Sequence, residues 1–401
     1  MTPYRILAAI DLMNMFFEHR RPFDSLMHQY FRTHKNIGST DRRAIAEFCY
    51  ALFRNYEKIR IFLDKITYAH GRFAVIIFLA IQKYDLSALF GTSSAYKYAP
   101  LSPFEQALAQ NIAVYKFPDI PHITNNYPLW FEEECRWSGD EMHNNMSALN
   151  QRARVHLKIN TLKTTVQDVY KILEDEKIEY RIYDSHAIIV ENQRITQNHH
   201  LIKNGLVIIQ DVGSQKIAHY CNAKPGEVVI DFCAGAGGKS ISLAMDMQNK
   251  GRIISMDVSE IRLLRAKERM IQTGVHNSYC TLIENKWLKH HTHFADLVLV
   301  DAPCSGSGTL KRNPELRAKL RQDDLAQISD KQLSILQQAS KLSKSRLVYA
   351  TCSIFRRENE DIIARFLQQN GDFVCESQEQ LSPYQDESDG FFIAKLRRNT
   401  T

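Results

Sequence analysis

The sequence predicts an α/β protein: a doubly wound parallel sheet in the C-terminal half, preceded by an all-helical domain and a small α+β unit. Three observations predict it. From Pro225 onward, short apolar, β-branched runs alternate with amphipathic helical runs, the pattern of successive βαβ units. The first of these runs, Val228–Phe232, leads into a glycine-rich turn that opens a helix. Two later runs, Ala295–Val300 and Leu347–Ala350, are apolar almost throughout, as strands buried on both faces are, and each ends in a polar loop bearing a cysteine. Open α/β sheets build their ligand crevices at the carboxyl ends of strands, so the chemistry is expected there.

At 401 residues the chain is long enough for two or three domains. Residues 1–145 read as helix throughout. Ile6, Leu7, Ile10, Met13 and Phe17 mark one apolar stripe, and Leu26, Tyr30 and Phe31 a second. Ser39-Thr40-Asp41 offers cap chemistry to a helix carrying Ile45, Phe48, Leu52 and Phe53. Arg42, Arg43 and Arg54, with Lys58 and Arg60, form either a solvated face or a phosphate-contacting surface. Further helices are expected over Phe73–Tyr84 and Pro103–Tyr115. At residues 150–205 the period becomes alternating: Val155, Leu157 and Ile159 share a strand face, Thr164-Thr165 caps a helix, and strands follow at Tyr180–Tyr183 and Ala187–Val190. Residues 206–401 form the third domain. Its strands are expected at Val228–Phe232, Arg252–Met256, Tyr279–Ile283, at the Asp301 and Cys352 runs, and at Gly390–Leu396.

The composition excludes several classes. A net charge of +6 permits a polyanionic partner without requiring one. The longest apolar run, Phe73–Ile81, is too short to cross a bilayer, and Asp11 and Asn14 interrupt any signal-peptide core. Eight scattered cysteines without framework spacing suit a reducing cytoplasm, and His290, His291 and His293 read as a polar loop, so no metal site is expected.

The turn Asp231-Phe232-Cys233-Ala234-Gly235-Ala236-Gly237-Gly238-Lys239-Ser240 ends like a P-loop, but the first P-loop glycine would fall at Cys233, and a Gly-x-Gly-x-x-Gly is absent. What remains is a Gly-x-Gly-Gly loop with an acid, Asp257, at the end of the next strand. Bare backbone and a diol acceptor are what S-adenosylmethionine requires; the other reading is a merely tight turn.

Three motifs, in order, carry a resemblance. Asp231-x-Cys-Ala-Gly-Ala-Gly-Gly-Lys239, Asp301-Ala302-Pro303-Cys304-Ser305-Gly306 and Tyr349-Ala350-Thr351-Cys352-Ser353-Ile354 resemble the Sun/RsmB family of RNA cytosine-5 methyltransferases. Glu358-Asn359-Glu360 and the segment Gln210–Gln215 are also similar to it, over roughly residues 150–398. The N-terminal helices resemble a NusB-like RNA-binding domain, with Asp41-Arg42-Arg43 as the anchor.

The resemblance implies a Rossmann-like methyltransferase sheet and a set of roles. Cys352 is the nucleophile, Cys304 frees the product, Asp301 holds the base near ring nitrogen 3, and Lys239 lies where it could lower a cysteine pKa. Cofactor contacts fall on Cys233, Ala234, Gly235, Ala236, Gly237, Gly238, Lys239, Asp257, Asp301 and, near the adenine, Asn285. The other cysteines are structural. The residues suit the chemistry independently: carbon 5 of cytosine is a poor nucleophile until a thiolate adds to carbon 6, and a second thiol can assist loss of the carbon-5 proton. Lys311, Arg312, Arg317, Lys319 and Arg321 are either phosphate contacts or an exposed basic helix. The expectation is a cytoplasmic, monomeric enzyme with no membrane partner. It would methylate cytosine in RNA, ribosomal RNA first and tRNA as the alternative. A reading from another class is a non-catalytic NusB-like RNA-binding factor in rRNA maturation.

Overall fold

The computed structural model describes residues 1–19, 21–66, 70–90, 99–191 and 195–399. They form two compact units: Met1–Glu133 with Leu310–Leu320, and Glu134–Thr309 with Arg321–Thr401.

The first unit is helical. Helices Pro3–Glu18, Phe23–Thr33, Ser39–Phe53, Tyr56–Leu63, Gly71–Ile81 and Pro103–Val114 surround one apolar core. The first helix buries Ile6, Ile10 and Met13 as the spacing requires, but Phe16 completes the stripe and Phe17 faces outward. Ser39-Thr40-Asp41 lies in the first turn rather than at the cap, which is Gly38. Asp41 instead pairs with Arg5 at 2.8 Å.

The segment Leu310–Leu320 corrects one expectation. Arg317 is only 2% exposed. Its Nε donates to the Asn126 carbonyl at 2.6 Å and its Nη1 to the Leu310 carbonyl at 3.2 Å. Burial pushes its guanidinium down to about 9, opposed by the nearby Glu57 and Glu315. A buried guanidinium bonded to backbone carbonyls is a structural tie, not a phosphate contact.

In the second unit, a four-stranded antiparallel sheet has the order β2-β3-β1-β4: β1 Val155–Ile159, β2 Tyr180–Ile182, β3 Ala187–Val190 and β4 Val207–Ile209. Thr165 caps the helix Val166–Asp175 in a reciprocal box with Asp168, as the sequence signals. The segment ahead of the glycine loop adds β4 to this sheet, because Val207-Ile208-Ile209 pairs with β1.

The larger sheet has seven strands: β5 Val228–Asp231, β6 Arg252–Asp257, β7 Ser278–Leu282, β8 Ala295–Asp301, β9 Ser343–Thr351, β10 Phe373–Gln380 and β11 Phe392–Arg398. Its order is β10-β11-β9-β8-β5-β6-β7. From β9 to β7 all neighbours are parallel; β11 and β10 are antiparallel additions. Residues alternate between two cores. Val229, Ile253, Leu297, Leu299 and Val348 face one side. Ile230, Ile254, Val298, Val300 and Leu347 face the other. Helices cover both faces, which is why β5, β6, β8 and β9 read as apolar runs. β10 has polar residues on half its length and lies at the sheet edge, so its pattern was not recognised as a strand. Among the described residues no helix is long and apolar enough to cross a membrane.

Arg317→Ala is expected to destabilise the protein by about 3 kcal/mol, since it strands the buried Asn126 and Leu310 carbonyls and removes a positive charge near the buried Glu57 and Glu315. Urea unfolding of the full chain measures this. A variant of unchanged stability with weakened RNA binding would restore the phosphate role.

Candidate active site

Parallel strands that pair side by side end at the same edge of the sheet. β8 and β9 pair in register through Asp301 and Ala350, and the Ala302 N–H to Ala350 carbonyl bond of 2.8 Å closes the ladder. Just beyond it, the Cys304 and Cys352 sulfurs lie 3.3 Å apart. The Cys352 contact and burial together push the Cys304 thiol well above its ordinary value. The two sulfurs lie within hydrogen-bond reach, with either one able to donate.

Lys239 opens the helix Gly238–Asp246 after β5 and crosses to β8, where its Nζ lies 2.6 Å from Asp301 Oδ2. The ammonium is buried, and Asp301 outweighs the burial cost, so its pKa is raised. The expectation that Lys239 could act on a cysteine pKa stands beside its hydrogen bond to the carboxylate: Cys352 is among the charges it interacts with. The ion pair orients Asp301 beside the two thiols.

The glycine loop is built for close approach. Gly235 and Gly237 have φ of 55° and 78°, conformations that side-chain-bearing residues resist. A Cβ on Gly235 would meet no protein atom within 4 Å, which leaves its backbone bare. Asp257 ends β6, where its Oδ2 accepts from Gly235 N–H at 3.0 Å and its Oδ1 from Ser259 N–H at 2.8 Å. Two fixed bonds hold the carboxylate and leave lone pairs for a diol. The loop is braced from behind: Arg269 Nη1 donates to the Ala236 carbonyl at 2.8 Å, and Gln210 Nε2 to the Gly238 carbonyl at 3.1 Å. Sequence reasoning missed Arg269, a basic residue on an otherwise solvated-looking helix.

A cavity of about 790 Å³ joins these parts. Cys233, Gly235, Asp257, Asp301, Cys304 and Cys352 line it, so six of the expected residues meet on one wall. Ala234, Ala236, Gly237, Gly238 and Lys239 are not among its described lining residues; they shape the loop and the ion pair. Nor is Asn285, which starts the helix Asn285–His290; Ile283 lines the cavity at that end. Lys331, Ser334, Ile335 and Gln338, from the helix Asp324–Ser340, were also missed. They recur at helical spacing, but nothing in that pattern distinguishes a ligand wall from a solvated face.

Behind the loop, Asp231 is fully buried. Its Oδ2 accepts from Ser240 Oγ at 2.6 Å, while Oδ1 has no partner. Burial pushes its carboxyl from 3.8 up to about 6.

Residues 218–397 match the 16S rRNA methyltransferase RsmB/F family, and residues 127–196 match the ferredoxin-like domain of RsmF/B-like methyltransferases. A probable ribosomal RNA small subunit methyltransferase B of Synechocystis is 30% identical over 302 residues, covering 68% of this chain and 67% of the relative. The chain belongs to the RsmB/F methyltransferase family. A probable ribosomal RNA small subunit methyltransferase B of Bacillus subtilis is also 30% identical, over 303 residues and 68% of this chain. The match spans 66% of that relative's length, just under two thirds. The crystal structure of the protein PH0851 superposes with a TM-score of 0.81 at 25% identity, covering 99% of each chain. S-adenosylmethionine is the cofactor of the RsmB/F family. The bare Gly235 backbone, the Asp257 carboxylate with lone pairs to spare and the cavity that connects them to the thiols fit it.

The raised Asp231 carboxyl gives a pH test with a defined sign. Below pH 3.8 folded and unfolded states both hold the proton. As pH rises the unfolded state loses it first, and the native state is penalised by about 3 kcal/mol once pH passes 6. Urea titrations should therefore show the stability of Asp231→Asn, relative to the parent, improving by about 3 kcal/mol between pH 4 and pH 7. A difference that is flat with pH would mean that Asp231 ionises normally in the folded protein.

Proposed function

We propose that this protein transfers a methyl group from S-adenosylmethionine to carbon 5 of a cytosine in ribosomal RNA, through a covalent Cys352–cytosine adduct. The observation that carries this reading is the pair of thiols 3.3 Å apart beside the Lys239–Asp301 ion pair, at one wall of the cavity. The names of the relatives support ribosomal RNA of the small subunit as the substrate.

S-adenosylmethionine, when bound, supplies an electrophilic methyl group. The chain's own residues do the rest. Cys352 gives its proton to solvent and, as the thiolate facing the Cys304 thiol, adds to carbon 6 of the base. The new sulfur–carbon bond converts the ring to an enamine whose carbon 5 is nucleophilic. Asp301, oriented by Lys239, holds the base near ring nitrogen 3. With the Cys352 sulfur bonded to carbon 6, the Cys304 thiol gives its own proton to solvent, and the resulting thiolate takes the proton from carbon 5. Loss of that proton restores the double bond as the Cys352–carbon bond breaks. A base inside folded RNA must be extruded to reach the cavity. The helical unit and the four-stranded sheet each offer a surface for RNA, and the enzyme acts in the cytoplasm.

Methylated tRNA would be the outcome of a related substrate choice, and the absence of any transfer would favour a non-catalytic RNA-binding factor. The decisive material is small-subunit rRNA from a strain lacking this protein, incubated with S-adenosylmethionine. Cys304→Ala is expected to accumulate a denaturant-stable protein–RNA adduct. Cys352→Ala, alone or combined with it, should give none, with transfer reduced by at least a thousandfold. Bisulfite sequencing of the same rRNA locates the base. Wild-type protein that neither methylates this RNA nor any tRNA, with no adduct from Cys304→Ala, would sink the proposal.

A further inference from the structure

The β8–β9 ladder ends at Ala302, before either cysteine, and beyond it the two loops are joined by the Gly308 N–H to Cys352 carbonyl bond and by side chains. One buried carboxylate reaches the serine beside each cysteine. Glu358, in the turn after β9, is fully buried. Its Oε1 accepts from the Ser305 N–H at 2.7 Å and from Gln332 Nε2 at 3.1 Å. Its Oε2 accepts from Ser305 Oγ at 2.5 Å and from Ser353 Oγ at 2.5 Å. Ser305 follows Cys304 and Ser353 follows Cys352.

The surroundings confirm that the carboxylate form belongs here. Burial pushes the Glu358 carboxyl above its ordinary value, while the serine, backbone and glutamine donors pull it back. Four donors aimed at two oxygens match an ionised carboxylate; a protonated one would set a fifth hydrogen among them. Other bonds complete the clamp. Ser307 Oγ lies 3.0 Å from Ser353 Oγ and accepts from Ile354 N–H at 3.0 Å, and Gln332 Nε2 also donates to the Pro303 carbonyl at 3.1 Å. Cys352 is held separately on its other side. Thr351 Oγ1 donates to Asn359 Oδ1 at 2.6 Å, and Asn359 Nδ2 donates to the Ser353 carbonyl at 3.0 Å. The nucleophile loop thus has an anchor besides Glu358. The Cys304 loop takes its bonds at Ser305, next to the thiol, from Glu358, while Ser307 and Gly308 tie it to the Cys352 loop further along.

We propose that Glu358 is a positioning residue that keeps Cys304 within reach of the Cys352 adduct, and so governs release of the methylated product rather than the attack. The inference rests on the two-thiol reading above. It touches neither base nor cofactor, and acts only through Ser305 and Ser353.

The test uses the full chain, small-subunit rRNA from the strain lacking it, and S-adenosylmethionine. Glu358→Gln replaces one acceptor by a donor facing donors, so the Cys304 loop loses its register while Asn359 still holds Cys352. The expected result is a fall in turnover of tenfold or more, with at least a tenfold rise in denaturant-stable adduct over wild type. S-adenosylmethionine affinity should stay within threefold. Ser305→Ala, which keeps the backbone bond and is the milder change, should move both readouts the same way by a smaller factor. It decides the matter if Glu358→Gln does not fold. Wild-type turnover and adduct levels in the folded variants overturn the inference. So does a joint loss of adduct, turnover and cofactor affinity, which is what a merely structural residue would give. Cys304→Ala runs alongside. Adduct there but not in Glu358→Gln rejects the clamp alone; no adduct there rejects the two-thiol reading and the clamp with it.

Discussion

The site depends on one constraint, the parallel pairing of β8 with β9. Parallel neighbours must both end at the same edge, and their register decides which residues meet. With Asp301 opposite Ala350, the loops that follow bring Cys304 to 3.3 Å from Cys352. A slip of one residue would turn each strand's side chains to the opposite face. The slip is prevented by the two cores: Leu297 and Leu299 belong to one side and Val298 and Val300 to the other. The strand is apolar on both faces, so apolarity alone does not set its register; the shapes of the two packed faces and the ladder bonds do.

Around that edge the protein buries charge at a cost. An ion pair taken from water forfeits hydration that its own attraction rarely recovers in full. Lys239–Asp301, Glu358 with its four donors and the half-satisfied Asp231 therefore contribute geometry more than stability. Each sits behind a feature that must not move: the pair orients the Asp301 carboxylate, Glu358 joins the cysteine loops, and Asp231 and Ser240 underlie the glycine turn. Gly308 shows how tight the packing is. A Cβ there would lie 1.8 Å from the Gly390 carbonyl oxygen, in the same strip where Gly308 N–H donates to the Cys352 carbonyl at 2.9 Å.

Much of this was legible because its signals are local. Glycines at positive φ, an acid at a strand end and apolar runs closed by Cys-Ser are readable within ten residues, and those residues gather around one cavity. The repeated Cys-Ser dipeptide was itself a clue to the clamp, since both serines bond the same carboxylate. Other positions misled for physical reasons. Arg317 stands among lysines and arginines, yet its chain segment packs into the helical unit and the guanidinium is buried. Phe16 and Phe17 are equivalent by composition, and helix rotation alone decides between them.

The sequence by itself determined most of the order of elements, the glycine turn, the acid that ends β6 and the two cysteines, because each is written in neighbouring residues. Only the tertiary structure decided the partners. It set Lys239 in a hydrogen bond to Asp301, Ile283 rather than Asn285 on the cavity wall, and Glu358 between two serines 48 residues apart. These depend on strand order and on which helix covers which face, and such distances through space leave no trace in spacing along the chain.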